Sequence, residues 1–312
     1  MPRAPKLADA RDKLIALDLL RAGPAVSRPR AGQRGMTLIE LVVVITLSVI
    51  VVTFMANFII VPMNAYSGET QRALLSDAAD GALRLLGRDL RAALPNSVRV
   101  SSSGSVVALE FIATIDGARY LDSGPLSNAS LWLDFTTADA AFSTTVPFSE
   151  ITLPYSSTSN YLVIYNVGVS GANAYAMSNV ITPAGTSISI TAGSTANQNL
   201  VTLNPGFQFS YGSPGKRVYL ASGPVSYLCD TGAGTLTRYA GYAILATQPT
   251  SATSLTAAGA SSGLVATNVS ACQFTYSAGA AQRDGLASLA LQLSSNGQSV
   301  QLLHQVHLVN TP

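Results

Sequence analysis

At 312 residues, 11% of them charged and with a formal net charge of +2, the chain has room for one large domain or two small ones plus an anchor. Ser, Thr, Ala and Gly dominate its second half, a mix that suits a β-rich domain with many turns and not a charged cytosolic helical protein. The basic excess is no sign of a nucleic-acid partner, because it is confined to residues 1–35, where eight Lys/Arg (Arg3, Lys6, Arg11, Lys13, Arg21, Arg28, Arg30, Arg34) face three Asp (Asp9, Asp12, Asp18).

Residues 1–35 therefore read as a basic leader, and residues 36–61 as a membrane helix. From Met36 to Val61 the sequence runs MTLIELVVVITLSVIVVTFMANFIIV, with one charge, Glu40, and one amide, Asn57. As a helix it spans about 39 Å, enough to cross a hydrocarbon core of about 30 Å with some tilt. Arg28, Arg30 and Arg34 precede it, whereas only Glu69 and Arg72 follow closely. The positive-inside rule then puts the N-terminus in the cytoplasm and residues 63–312 outside. A cleaved secretory signal has a shorter apolar core followed by a small-residue site, for which Met55-Ala56-Asn57 is a poor substitute. A plain uncleaved signal anchor is the stronger alternative.

Gly35-Met36-Thr37-Leu38-Ile39-Glu40 argues against both. This run resembles the class III signal sequence of type IV prepilins and type II secretion pseudopilins: a basic leader ending in Gly, an apolar residue, Thr-Leu-Ile-Glu, then a long apolar stretch. The resemblance implies a cut between Gly35 and Met36 by the prepilin peptidase, a membrane aspartic protease, and methylation of the new Met36 amine. Such a cut removes the positive leader yet leaves the apolar helix on the exported domain. Glu40 is the oddity, since an acid at mid-bilayer costs up to about 2.5–3.5 kcal/mol, less near an end. It falls in the first turn of the mature helix, where the macrodipole favours negative charge. The resemblance implies that it pairs with a neighbouring subunit's N-terminal ammonium, an assembly contact and not a catalytic role; the alternative is a carboxylate that snorkels to the interface. The leader is unusually long for the family. Initiation at Val26 would leave the ten residues VSRPRAGQRG with three arginines, and residues 1–25 are then expected not to be translated.

Residues 62–95 read as an amphipathic helix. Pro62 is expected to end or kink the membrane helix, and a helical period then resumes from Thr70 to Leu94. Its apolar positions are Leu75, Ala79, Ala82, Leu83, Leu86, Leu90, Ala93 and Leu94, the spacing of one buried face. Acids (Glu69, Asp77, Asp80) come early and arginines (Arg84, Arg88, Arg91) late, as the dipole prefers. Gly81 and Gly87 weaken the helix slightly, and Pro95 stops it.

Residues 96–312 form the exported domain, with short apolar runs between turn residues. Expected strands are Val98–Val100, Val106–Ile112, Leu131–Phe135, Tyr161–Val167, Ser187–Thr191, Asn199–Leu203, Gly206–Phe209 and Arg217–Ala221. Val225–Cys229, Leu236–Tyr239, Cys272–Tyr276, Ser288–Leu293 and Val300–Val309 complete the set. Asp116-Gly117 and Asn296-Gly297 are hairpin signals, the second joining the last two strands. Residues 168–198 and 250–264 read as surface loops. The two cysteines, Cys229 and Cys272, favour one disulfide in an exported domain. It would close a loop of about 40 residues, for roughly 3–4 kcal/mol; two buried free thiols are the alternative.

Arg88-Asp89-Leu90-Arg91 and Ala93-Leu94-Pro95-Asn96-Ser97-Val98-Arg99-Val100 are similar to the helix-to-sheet junction of the MshO family of MSHA pilus biogenesis, minor pilins related to J-type pseudopilins and PilW. Gly285-Leu286 and the ending from Val300 to Pro312 are similar too. The fold implied is α+β and pilin-like: a long N-terminal transmembrane and amphipathic helix packed on an antiparallel β-sheet domain.

Enzyme constellations are close to absent, and no cofactor or metal is expected. His304 and His307 lie three apart on a strand and so face opposite sides. Asp230-Thr231-Gly232 echoes the aspartic-protease triplet, but without a second copy it reads better as a turn. There is no phosphate-binding loop and no dense carboxylate cluster. The expected function is a minor pilin of an MSHA-like pilus, a non-enzymatic subunit that initiates or assembles the filament. Its expected partners are prepilin peptidase, other major and minor pilins through the N-terminal helix, and the inner-membrane assembly machinery. The expected location is the inner membrane, single-pass with a periplasmic head, then the pilus near its tip. A J-type pseudopilin of type II secretion and a membrane-anchored adhesin or binding module are the alternatives.

Overall fold

The computed structural model describes residues 35–123, 131–278 and 284–311. The leader arginines and the initiation question at Val26 lie outside the described residues. The chain divides after Pro62 into two units. Helix α1 (Leu38–Arg91, 54 residues) contributes to both. Pro62, expected to end or kink it, does not end it. The ring removes only the donor that would meet the Phe58 carbonyl, and helical turns persist on either side.

In the second unit, the stripe expected from periodicity is the buried one: Leu75, Ala79, Ala82, Leu83, Leu86 and Leu90 are at most 4% exposed. Each fully buried leucine contributes about 1.5–3 kcal/mol of transfer free energy. The stripe packs on an antiparallel β domain. Its strands are β1 (Arg99–Ser103), β2 (Val106–Tyr120), β3 (Asp139–Val146), β4 (Tyr155–Ser157), β5 (Tyr161–Val163), β6 (Ser187–Ala192) and β7 (Asn199–Phe207). Then come β8 (Arg217–Asp230), β9 (Thr235–Ala240), the short helix α2 (Ala252–Ala257), β10 (Ser261–Thr267), β11 (Val269–Ser277), β12 (Gly285–Ser295) and β13 (Gln298–Leu308).

One sheet has the order β10-β9-β8-β2-β3-β7-β6-β4, with β1 added on β2 and β5 on β8; the other is β11-β12-β13. The long pair β2–β8 serves two cores. On one side of its register shifts, between Ala113 and Asp116, Leu109, Phe111, Val225 and Tyr227 pack with the α1 stripe and with Ala287, Leu289, Leu291 and Leu293 of β12. On the other side, Ala118, Tyr120, Val218 and Leu220 pack with Phe142, Ile188, Ile190 and Val201. The expected α+β arrangement is present.

Several local expectations are corrected. Leu131–Phe135 is not a strand: the Asp134 carboxylate accepts from the Thr136 N–H and from the hydroxyls of Thr136 and Thr137, which turns the chain there. Asp116-Gly117 is not a hairpin. Its carboxylate is occupied by the N–H groups of Gly117, Glu150 and Ile151, and β2 runs on through it. Arg217–Ala221 and Val225–Cys229 are one strand, continuous through Gly223 at φ 115°, a conformation open to glycine. Asn199–Leu203 likewise runs on to Phe207 as β7, and Tyr161–Val167 stops at Val163. The loops expected over 168–198 and 250–264 contain a 3-10 turn (Ala174–Ala176), β6, α2 and the start of β10.

Polar ties fix the point where α1 hands over to the sheet. Asp89 accepts from Arg238 Nε (2.7 Å) and from the Tyr227 hydroxyl (2.9 Å). Asn96, at φ 60°, donates its amide to the carbonyls of Asn166 (3.0 Å) and Asn310 (3.3 Å), and its backbone N–H to Asn310 Oδ1 (3.3 Å). Asn166 in turn donates to the Pro95 carbonyl (2.7 Å). Helix exit, mid-chain loop and C-terminal segment meet in this knot.

On the sheet face away from α1, Glu110 is fully buried opposite its cross-strand neighbour Arg99. Its oxygens accept from Arg99 Nε (2.8 Å) and the Tyr242 hydroxyl (2.9 Å). The remaining guanidinium nitrogens donate to the carbonyls of Leu245 and Ala246, and the guanidinium lies 3.6 Å from the centroid of the Tyr175 ring. Burial pushes the Glu110 carboxyl above its ordinary value, outweighing Arg99 and Tyr242.

Asn96→Ala should lose about 2–4 kcal/mol, combining left-handed backbone strain with broken hydrogen bonds. Asn96→Gly should recover the backbone part; urea unfolding of the detergent-solubilised protein measures both. For Glu110, the folded state holds the proton to higher pH than the unfolded chain does. The stability it contributes is complete below pH 4.5 and is lost as the pH rises through the folded value. Glu110→Gln, which has no proton to lose, should therefore gain on the wild type as the pH rises from about 3 to about 7. Urea midpoints across that range check the sign, and the opposite drift would show that the Arg99 pair outweighs burial.

Candidate functional site: the N-terminal segment

Gly35, Met36 and Thr37 precede α1 as non-helical chain, and the helix begins at Leu38. Thr37 starts it: its Oγ1 accepts from the Glu40 N–H (3.3 Å) and its carbonyl from the Leu41 N–H (3.1 Å). This is N-cap geometry, satisfying donors that the first turn leaves without partners. Thr-x-x-Glu is the spacing of a capping box, so the motif that implies processing also carries its own helix start. Thr37 is the residue that sequence reasoning missed, although that spacing was legible. Glu40 stands in the first turn, where the helix dipole favours its charge. Among the described residues its carboxylate has no ion-pair partner.

Nothing in the protein's own fold requires glycine at 35. Its φ lies outside the left-handed range, and a Cβ built there meets no atom within 4 Å. Met36 is 61% exposed. Among the described residues, Gly35 and Met36 are both exposed.

From Leu41 to Val61 the helix is apolar on every side, with no buried residue. It is long and apolar enough to cross a membrane. Three of its polar side chains bond the helix itself. Thr46 Oγ1 donates to the Val42 and Val43 carbonyls, Thr53 Oγ1 to Val49 (2.8 Å), and Asn57 Nδ2 to Thr53 (3.1 Å). Such self-satisfaction is what a medium without water demands of side chains.

The other residues singled out from sequence lie in the second unit. Cys229 on β8 and Cys272 on β11 are in sulfur–sulfur contact with Cα atoms 6.5 Å apart, spanning the two sheets. His304 is half-buried and His307 exposed, on opposite faces of β13. Asp230 caps the β8–β9 turn, accepting from the N–H groups of Gly232 and Ala233 and from Ser105 Oγ. The Ala233 N–H leads in holding its carboxyl below the usual range.

A family model described as the prokaryotic N-terminal methylation motif matches residues 30–56. No curated protein and no solved structure matches the chain. The matched stretch holds Gly35, Met36, Thr37, Glu40 and most of the exposed apolar helix. It supports a type IV pilin-like family, and the apolar helix that it covers in large part is long and apolar enough to cross a membrane.

Proposed function

We propose that the chain is a minor type IV pilin of the MSHA kind, which initiates or assembles a pilus. In this reading prepilin peptidase removes residues 1–35 between Gly35 and Met36, and Met36 becomes the methylated N-terminus. Residues 36–61 anchor the protein in the inner membrane, residues 62–95 carry the amphipathic helix, and residues 96–312 form a periplasmic head closed by a Cys229–Cys272 disulfide. In the filament, near its tip, Glu40 pairs with the terminal ammonium of a neighbouring major or minor pilin.

One observation carries the reading: the methylation motif sits on a capped helix start whose Gly35 the fold itself does not need. A residue that is free to change as far as folding goes, yet is glycine in a motif, is being read by another protein. The exposed, self-satisfied helix behind it supplies the second half of the argument. Its apolar surface is far larger than a monomer in water leaves open. The size of the head favours a low-copy position over that of a major subunit, whose copies must tile a thin filament.

Gly35→Val should block processing and leave the precursor in the membrane, read by intact mass. The wild type should begin at a methylated Met36 and, without reductant, weigh two hydrogens less than the dithiol form. Normal mature-sized protein from Gly35→Val would end the cleavage reading. Glu40→Ala should insert and be cut normally yet enter pili poorly, by several fold in shed-pilus yield, as expected for a lost desolvated ion pair; unchanged pilus numbers would remove its assembly role. Copurification with secretion-system pseudopilins in place of minor pilins would assign the chain to the J-type branch.

A further inference from the structure

Residues 35–40 are all exposed, so it is hydrogen bonding, and not packing, that decides where α1 begins. In an α-helix each N–H bonds the carbonyl four residues back. Grown by one residue toward the N-terminus, α1 would set the Glu40 N–H on the Met36 carbonyl. Grown by one more, it would set the Ile39 N–H on the Gly35 carbonyl. Neither bond is present: among the described residues, the carbonyls of Gly35 and Met36 accept from no backbone donor.

The Glu40 N–H is bonded instead to Thr37 Oγ1 (3.3 Å), and the first carbonyl of the helical ladder is that of Thr37, which accepts from the Leu41 N–H (3.1 Å). The threonine hydroxyl therefore holds the one donor that helix growth would need first. A side-chain oxygen that competes with a backbone carbonyl in this way sets a helix boundary. From Arg34 to Ile39, Thr37 alone has a side-chain oxygen, so no neighbour can take over the cap. Met36 does not stop the helix by itself, since methionine is a good helix former.

We propose that Thr37 is a positioning residue for the removal of residues 1–35, because it keeps the scissile Gly35 carbonyl out of the helix. This role rests on the processing reading given above and adds to it how the bond is presented. Hydrolysis adds water across the Gly35 carbonyl carbon and the Met36 nitrogen, leaving a carboxylate on Gly35 and an amine on Met36. Charge develops on the carbonyl oxygen as water attacks, and a peptidase stabilises it with donors of its own. A Gly35 carbonyl bonded to the Ile39 N–H would have its oxygen turned along the helix and occupied. Extended chain, in contrast, offers its main-chain donors and acceptors to a partner. With the cap in place Met36 and Thr37 separate the scissile bond from the first helical residue, Leu38. Thr37 acts through the Glu40 N–H and not by contact with the reacting atoms.

The test is the rate at which purified prepilin peptidase cuts the full-length precursor in detergent, followed by intact mass. Thr37→Val keeps the shape of threonine and loses the acceptor, whereas Thr37→Ser and Thr37→Asn keep an acceptor that caps at least as well. For Thr37→Val, kcat/KM should fall about fivefold, the shift that a lost cap produces. Serine and asparagine should stay within about twofold of the wild type. Recognition of threonine by its shape predicts the reverse order, with valine tolerated and asparagine not. An isotope label in the Gly35 carbonyl of uncut precursor reads the helix boundary directly: its chemical shift should move toward the helical position in Thr37→Val alone. Valine cut as fast as the wild type would overturn the proposal. So would asparagine cut as slowly as valine, or a slow Thr37→Val whose Gly35 carbonyl has not moved. Each of these outcomes leaves the processing reading standing. A wild-type precursor that is not cut between Gly35 and Met36 would sink both together.

Discussion

Between Leu75 and Leu90 the helix offers leucines separated by alanine and glycine, and both sheets close on it there. Gly87 shows how close the approach is: a Cβ on it would come within 2.9 Å of His304 Nε2 and 3.4 Å of Val306 Cγ2. The first core therefore has α1 as a shared wall. β2 and β8 pack on it from one sheet, and β12 and β13 from the other. Take the stripe away and, among the described residues, the three-stranded sheet is tied to the rest by its β11 contacts, Cys272, the Gln298–Arg72 bond, the asparagine knot and the bonds of Arg217 and Tyr219 to Thr311.

The same helix obeys a different rule before Pro62. There it has no buried face, and Thr46, Thr53 and Asn57 donate to carbonyls of the preceding turn. A helix stripe suited to a protein core and a helix surface suited to lipid follow one another within a single helix, whose hydrogen-bond ladder lacks only the Pro62 donor. Glu40 and its Thr37 cap mark one end of this double element, and Asp89 with its Arg238 and Tyr227 partners marks the other.

Sequence periodicity was enough to read the stripe residue by residue, because one face of a long helix repeats many times. It was also enough for β12 and β13, joined at Asn296-Gly297 with both residues at positive φ. It failed where composition carries no contrast. β10 and α2 sit in a Ser/Thr/Ala/Gly run that looks the same as a loop, and β3 alternates too weakly to stand out. Asp116-Gly117 misled because a turn dipeptide and a bulge that anchors a loop look alike until the Glu150 and Ile151 N–H groups are in place. In the N-terminal segment, the motif alone singled out Gly35, Met36 and Glu40. The Glu110–Arg99–Tyr242 cluster was not, since a lone Glu in a strand reads as solvent-facing until the register sets it opposite Arg99.

The asparagine knot has a consequence for how the molecule comes into being. Asn96 stands at the first turn out of α1 and Asn310 almost at the final residue, so the beginning and the end of the head must meet before either is settled. Contacts of such large sequence separation are slow to form. As the chain is made from its N-terminus, the helix stripe emerges long before β12 and β13 arrive to cover it. Until those strands are in place the leucines from 75 to 90 have no lid, and the unfinished chain offers a greasy, half-built surface to any holdase within reach.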